Sequence, residues 1–276
     1  MSTLHLVATP IGNLEDISAR ALRILRQVGL IAAEDTRHTA RLLQHYGIRT
    51  PCLSYHEHNK LTRLERVLTA MEAGDVALVS DAGTPALNDP GYELVRAVLA
   101  AGHTVSPVPG ACAPVAALVA SGLPTDTFLY LGYLPRRQAE RLRLLQSVAS
   151  LPHTLIFLET PHRLLEGLSD LAAQLGNRAA AVARELTKLH EEIFRGSLEQ
   201  ALEHFTAQPP RGEFTLVVAG CTTAPERWSK ERLQTALRQA DGSAEKPAAL
   251  ARRLAAESGW SKSDVYELLK HLRAGD

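Results

Sequence analysis

At 276 residues with 45% hydrophobic content, the chain is long enough to bury a substantial core, and its length suggests about two domains. Thirty basic and thirty acidic side chains cancel, so no global field draws in nucleic acid and an RNA partner requires local basic patches. The longest nearly apolar run, Cys112 to Leu123, is interrupted by Pro114 and falls short of the roughly 20 residues of a membrane span; "MSTLHLVATP" has no basic segment leading into an apolar signal core, which points to a cytoplasmic protein.

The first half alternates short β-rich runs with amphipathic segments. "LHLVAT" (4 to 9) precedes "DISARALRILRQV", where Ile17, Ala21, Leu22, Leu25 and Val28 mark one helical face. Next come a strand in "LIAAE", a helix through "TARLLQHYG", a helix around "LTRLERVLTAMEAG" and a strand in "VALVS". "YELVRAVLAAG" reads as helix, "TVSPV" as strand and "ACAPVAALVASG" as a helix of small residues. This rhythm predicts a mostly parallel sheet with helices on both faces, over residues 1–122. From about Thr127 the runs "FLYLGYL", "TLIFLE", "AAVARE", "EEIFRGS" and "FTLVVAG" alternate with only three helical stretches, which predicts a second α/β domain with a mixed sheet over 123–224. Residues 225–276 are helical in pattern, and Ala251, Leu254 and Ala255, a turn at Ser258 and Gly259, then Val265, Leu268 and Leu269 suggest a helix-turn-helix.

Three strand ends share one chemistry: "ATPIGN", "DAGTPALNDPG" and "PVPGAC". In an open parallel sheet, ligands bind outside the carboxyl ends of the strands, where loop amides and helix amino termini point at them. Gly12, Gly83 and Gly110 let main chain approach a ligand closely while the prolines stiffen the loops. Each loop alone is also what an ordinary tight turn looks like; the three together point to a site. Asp89 is placed to cap the helix that follows Pro90. Neither G-x-G-x-x-G after a strand nor G-x-x-x-x-G-K-[ST] occurs, so no dinucleotide fingerprint or P-loop is present. Cys52, Cys112 and Cys221 are odd in number and far apart, and the "HEH" of His56 to His58 has no second cluster at a metal spacing, so no metal site is expected.

The segments "VATPIGNLEDIS", "AEDTRHTARLL", "VSDAGTPALNDPG", "PVPGACAPVAALVASGLP", "YLGYLPRR" and "FLETPHRL", in this order, resemble the ribosomal RNA small subunit methyltransferase I family of the tetrapyrrole methylase superfamily, over roughly residues 4 to 220. The resemblance implies two α/β domains with a cleft between them, as in class III S-adenosyl-L-methionine methyltransferases, plus the helical carboxyl-terminal domain. It implies a homodimer that uses S-adenosyl-L-methionine to methylate the ribose 2'-hydroxyl of cytidine 1402 in 16S rRNA of the small ribosomal subunit. Carried onto this chain, the cofactor loops are Pro10, Ile11 and Gly12, where the superfamily has Gly-Pro-Gly; Gly83, Thr84 and Pro85, where it has Gly-Asp-Pro, with Leu87 following; and Gly110, Ala111 and Cys112 at the methionine end. Thr84 puts a hydroxyl in place of a carboxylate, and Asp81 can supply the lost acceptor. Leu158 is expected on the adenine, with Phe214 to Leu216 closing the far wall.

Methyl transfer to a ribose hydroxyl needs alignment, exclusion of water and help for a poor nucleophile. Asp35, Arg37 and His56 are the catalytic candidates: Asp35 ends a strand and Arg37 begins a helix, so carboxylate and guanidinium can face ribose and phosphate together. Equally, Asp35 or Thr36 can cap that helix while Arg37 pairs with an acid. Lys60, Arg136, Arg137 and Arg184 are the substrate-binding candidates, with Arg141 and Arg143 extending a basic patch and Glu185 expected in a structural ion pair. The alternatives are a tetrapyrrole or diphthamide-pathway methyltransferase of the same fold, and a non-catalytic RNA-binding assembly factor.

Overall fold

A computed structural model describes residues 1–57, 59–222, 228–240 and 246–274. The first sheet is wholly parallel, in the order β3 (Cys52–Ser54), β2 (Leu30–Ala33), β4 (Val76–Val79), β1 (Thr3–Val7), β5 (Thr104–Val108). All four residues of β4 are buried, as expected of a central strand covered on both faces. One face packs against α1 (Ala19–Gln27) and α2 (Thr36–His45) through Leu25, Ile31, Leu42 and Val79. The other packs against α3 (Lys60–Ala73) and α4 (Tyr92–Ala100) through Leu4, Met71, Leu78 and Leu94. Local chemistry starts these helices: the Ser18 side chain accepts the Ala21 N–H ahead of α1, and Asp35 accepts the Arg37 N–H ahead of α2. The short edge strand β3 was not expected from the sequence.

The second sheet is mixed, in the order β6 (Phe128–Tyr133), β7 (Thr154–Glu159), β10 (Phe214–Val218), β8 (Ala179–Arg184), β9 (Glu192–Ser197); only β6 and β7 run parallel. Helices α6 (Gln138–Val148), α7 (Leu164–Leu175) and α8 (Leu198–Ala207) accompany it. Helix α5 (Ala113–Ser121) joins the two sheets: its small residues Ala117 and Leu118 share a core with Ile11 and with Ile156, Ala181 and Val217 of the second sheet. The alanines allow close approach, and Gly122 ends the helix in the left-handed region.

Both sheets lie in one compact unit, residues 1–145 with 153–219; residues 146–152 and 220–276 form another. In the latter, α9 (Lys230–Ala240), α10 (Pro247–Ser258) and α11 (Lys262–Ala274) bury Leu233, Leu250, Leu254, Val265 and Leu269. Gly259, at φ 68, makes the turn expected between the last two helices. No described helix is long and apolar enough to cross a membrane.

Candidate active site

The strand-end loops of the first sheet are tied to one another. Thr9 N–H donates to the Gly83 carbonyl at 2.9 Å and Gly83 N–H to the Thr9 carbonyl at 3.0 Å, which staples the loop after β1 to that after β4. The Thr84 hydroxyl donates to the Ala111 carbonyl at 3.2 Å, which holds the loop after β5. The end of β2 joins through carboxylates: Glu34 Oε2 accepts the Asp81 N–H at 3.3 Å, and Asp81 Oδ1 accepts the Asp35 N–H at 3.0 Å. Gly83 sits at φ 76, where a side chain is strained, and this left-handed turn lets the loop fold back onto Thr9.

These loops wall a cavity of about 260 Å³. From the first sheet it is lined by Ile11, Asp81, Gly83, Thr84, Leu87 and Cys112; from the second by Leu158, Glu159, Phe214 and Thr215. Pro10 and Gly12 line an adjoining cavity. Gly12 is required there, because a Cβ would lie 2.9 Å from the Leu186 carbonyl and collide with Lys188. Pro85 is buried within its loop, Gly110 packs on Ala8, and Ala111 serves through its carbonyl; none of the three lines either cavity.

Asp35, Arg37 and His56 also line neither cavity. The Asp35 carboxylate caps α2 and pairs with Arg37 at 2.7 Å, and those hydrogen bonds hold its carboxyl well below the usual range. Arg37 is 89% exposed. His56 is half-buried, with its backbone N–H on Asn59 Oδ1 at 2.8 Å. The Lys60 side chain and His58 lie outside the described residues. Arg136 is exposed, Arg137 pairs with Glu140 at 3.4 Å, and Arg184 is engaged by Glu192 at 3.3 Å and the Arg211 carbonyl at 2.8 Å.

Two expectations are corrected. Arg141 is not part of a surface patch: it is 1% exposed and clamped by Glu166 at 2.5 Å and Asp170 at 2.6 Å. Asp89 does not cap α4, whose N-cap is Gly91 with no side-chain hydrogen bond; it lines the 260 Å³ cavity instead. Glu185 does form the expected ion pair, with Lys188 at 2.8 Å.

Electrostatically the cavity is one-sided. Glu34, Asp81, Asp89, Glu159 and Glu213 line it, and among the described residues no lysine, arginine or histidine does; Arg163 and Lys188 reach Glu159 and Glu213 from outside the lining. Burial, then the charges of Glu34 and Asp81, push the Asp89 carboxyl up to about 6. Burial likewise raises Glu34 and Glu159, and it pushes the Tyr130 phenol up to about 12. Glu159 is 2% exposed; its Oε1 takes Arg163 at 2.6 Å and the Thr160 N–H at 2.7 Å, while its Oε2 and the Tyr130 hydroxyl are buried with no partner among the described residues. Such a wall disfavours phosphates and favours a cationic ligand with donors for the orphaned acceptor. Glu159 could have been found in the sequence as a carboxylate closing the apolar run "TLIFLE"; Tyr130, Tyr133 and Glu213 carry no local signal.

Comparison with known proteins shows the family and agrees with the fold. The family of tetrapyrrole (corrin/porphyrin) methylases matches residues 3–202. The chain belongs to the tetrapyrrole methylase family. Within it, the methylase is 48% identical over 277 residues to ribosomal RNA small subunit methyltransferase I of Synechocystis sp., covering 99% of both chains. The protein of that name from Thermotoga maritima is 46% identical and is covered over 99% of its length, while matching 80% of this methylase. Among solved structures, the uroporphyrin-III C-methyltransferase of Thermus thermophilus complexed with S-adenosylhomocysteine superposes with a TM-score of 0.55 at 19% identity, over 78% of this chain and 97% of that one, and shows the shared fold.

Proposed function

We propose that this methylase uses S-adenosyl-L-methionine to methylate the ribose 2'-hydroxyl of cytidine 1402 in 16S rRNA of the small ribosomal subunit, as a cytoplasmic homodimer. The observation that carries the cofactor assignment is the cavity lined by five carboxylates and, among the described residues, by no basic side chain. It suits a cofactor bearing a sulfonium and an ammonium, and it opposes a ligand bearing phosphates. Near-full-length identity to proteins named for ribosomal RNA methylation supports the substrate. Exposed Val115 and Val119, one turn apart on α5, support a second copy.

The residues fit the cofactor as follows. Thr84, Gly83 and Leu87 hold one side and Leu158 and Phe214 the other, with Cys112 beside the methionine end. Glu159 Oε2 and the Tyr130 hydroxyl take the ligand's polar groups. Bound there, the cofactor supplies an electrophilic methyl on sulfur that departs as a neutral thioether. Asp81 lines both cavities and has one oxygen fixed by the Asp35 N–H, so its other oxygen receives the hydroxyl proton. Asp35 is a positioning residue that acts through Asp81, and Glu34, raised by burial, is held in turn by the Asp81 N–H. Arg37, Arg136 and Arg137, all exposed, meet backbone phosphates at the periphery; Arg184 serves the fold through Glu192.

The test is transfer of labelled methyl to small ribosomal subunits from cells lacking the endogenous enzyme. Stoichiometric labelling of 16S rRNA is expected; unlabelled rRNA at saturating cofactor refutes the proposal.

A further inference from the structure

The adjoining cavity, about 390 Å³, shares Ile11, Asp81, Ala82 and Glu213 with the first, but its chemistry differs. One wall is the opening of α2, with His38, Thr39 and Arg41; Pro10 and Leu14 give it an apolar side. His38 and Arg41 are exposed, and among the described residues neither side chain has an ion-pair or hydrogen-bond partner, so the imidazole and the guanidinium are both open to an anion. Lys188, opposite, is held by Glu185 at 2.8 Å and Glu213 at 3.2 Å. Thr39, 3% exposed, lines the same wall and brings a hydroxyl to it.

We infer that this second cavity seats the nucleotide to be methylated, with its ribose against Asp81 at the shared wall, its phosphodiester on His38 and Arg41, and the Thr39 hydroxyl bonded to a sugar or phosphate oxygen. The inference rests on the methyltransferase reading above. Two observations drive it. Five carboxylates and, among the described residues, no basic side chain line the first cavity, which disfavours a polyanion there, so RNA enters from the side that carries the Arg41 guanidinium. The two cavities also share a wall that includes the carboxylate of Asp81, so a ribose in the second lies beside a methyl donor in the first. A nucleotide entering a closed pocket must leave its stack, and the apolar Pro10 and Leu14 side offers a surface for the displaced base.

The test uses the full chain and small ribosomal subunits. Thr39→Val, Arg41→Ala and the His38→Ala/Arg41→Ala pair are compared with wild type in cofactor affinity by calorimetry, in KM and kcat for subunits, and in the salt dependence of KM. Arg41→Ala is expected to raise KM about tenfold and to reduce the slope of log KM against log salt by about 1, with cofactor affinity unchanged. Thr39→Val, nearly isosteric, is expected to lower kcat/KM about tenfold with an unchanged melt. Wild-type KM and salt slope in the double variant, with cofactor binding and methyl transfer intact, overturn the nucleotide assignment and leave the methyltransferase reading standing. Failure of wild type to bind S-adenosylmethionine or label RNA overturns that reading itself.

Discussion

Replacing Asp89 by asparagine keeps the shape of the side chain and removes the carboxyl that sits nearest neutrality in the cofactor cavity. Burial, followed by the charges of Glu34 and Asp81, moves that carboxyl from 3.8 to about 6. Each unit is worth about 1.4 kcal/mol, and solvent screening of a half-buried group reduces the total to roughly 1–1.5 kcal/mol. The folded chain holds the proton more tightly than the unfolded one, so wild-type stability falls as pH rises from about 4 to about 6 and stays lower above that window. Without ligand, Asp89→Asn is therefore expected to match wild type below about pH 4 and to exceed it by about 1 kcal/mol at pH 8 in urea denaturation. Cofactor affinity moves oppositely. Ionised Asp89 attracts a sulfonium, so wild type binds S-adenosylmethionine more tightly as pH rises through 6, whereas the asparagine variant shows a flatter dependence and about fivefold to tenfold weaker binding at pH 8. A variant less stable than wild type at pH 8, or one with the wild-type pH dependence of affinity, refutes the electrostatic account.

Gly83→Trp is expected to retain a cooperative melt while losing cofactor binding in calorimetry, because the side chain enters the cavity from a backbone at φ 76; wild-type affinity would show the cavity to be misassigned. Asp81→Asn is expected to lower kcat at saturating cofactor about 10²- to 10⁴-fold in single-turnover methyl transfer, well beyond the loss of cofactor affinity that removing one cavity carboxylate brings. Asp170→Ala strands the buried Arg141 guanidinium and is expected to destabilise by about 3–5 kcal/mol in chemical denaturation, leaving the cofactor affinity of the folded protein intact.

What the sequence makes legible follows how local the chemistry is. "ATPIGN", "SDAGTPALNDPG" and "PVPGAC" end apolar runs in turn formers, and the structure staples all three loops at one sheet edge. Asp35 as a helix cap and Glu185 as an ion-pair partner are likewise local, settled within three residues. Asp89 was misread because a carboxylate ahead of Pro90 and a helix has the form of a cap; Gly91 takes that place, and Asp89 lines the cavity. Arg141 looks like a surface helix charge until Asp170, on another helix, covers it. Tyr130 and Glu213 belong to the site only because the second sheet faces the loops of the first, and β3 is an edge strand of three residues inside a polar stretch. None of these has a periodicity or spacing to announce it.

The central claim is the atom that receives the methyl. Small subunits methylated by this chain can be digested to nucleosides and the product identified by mass spectrometry, with the position mapped on 16S rRNA. The account predicts 2'-O-methylcytidine at position 1402. A methyl on a base, or on no nucleoside of the small-subunit RNA, contradicts it.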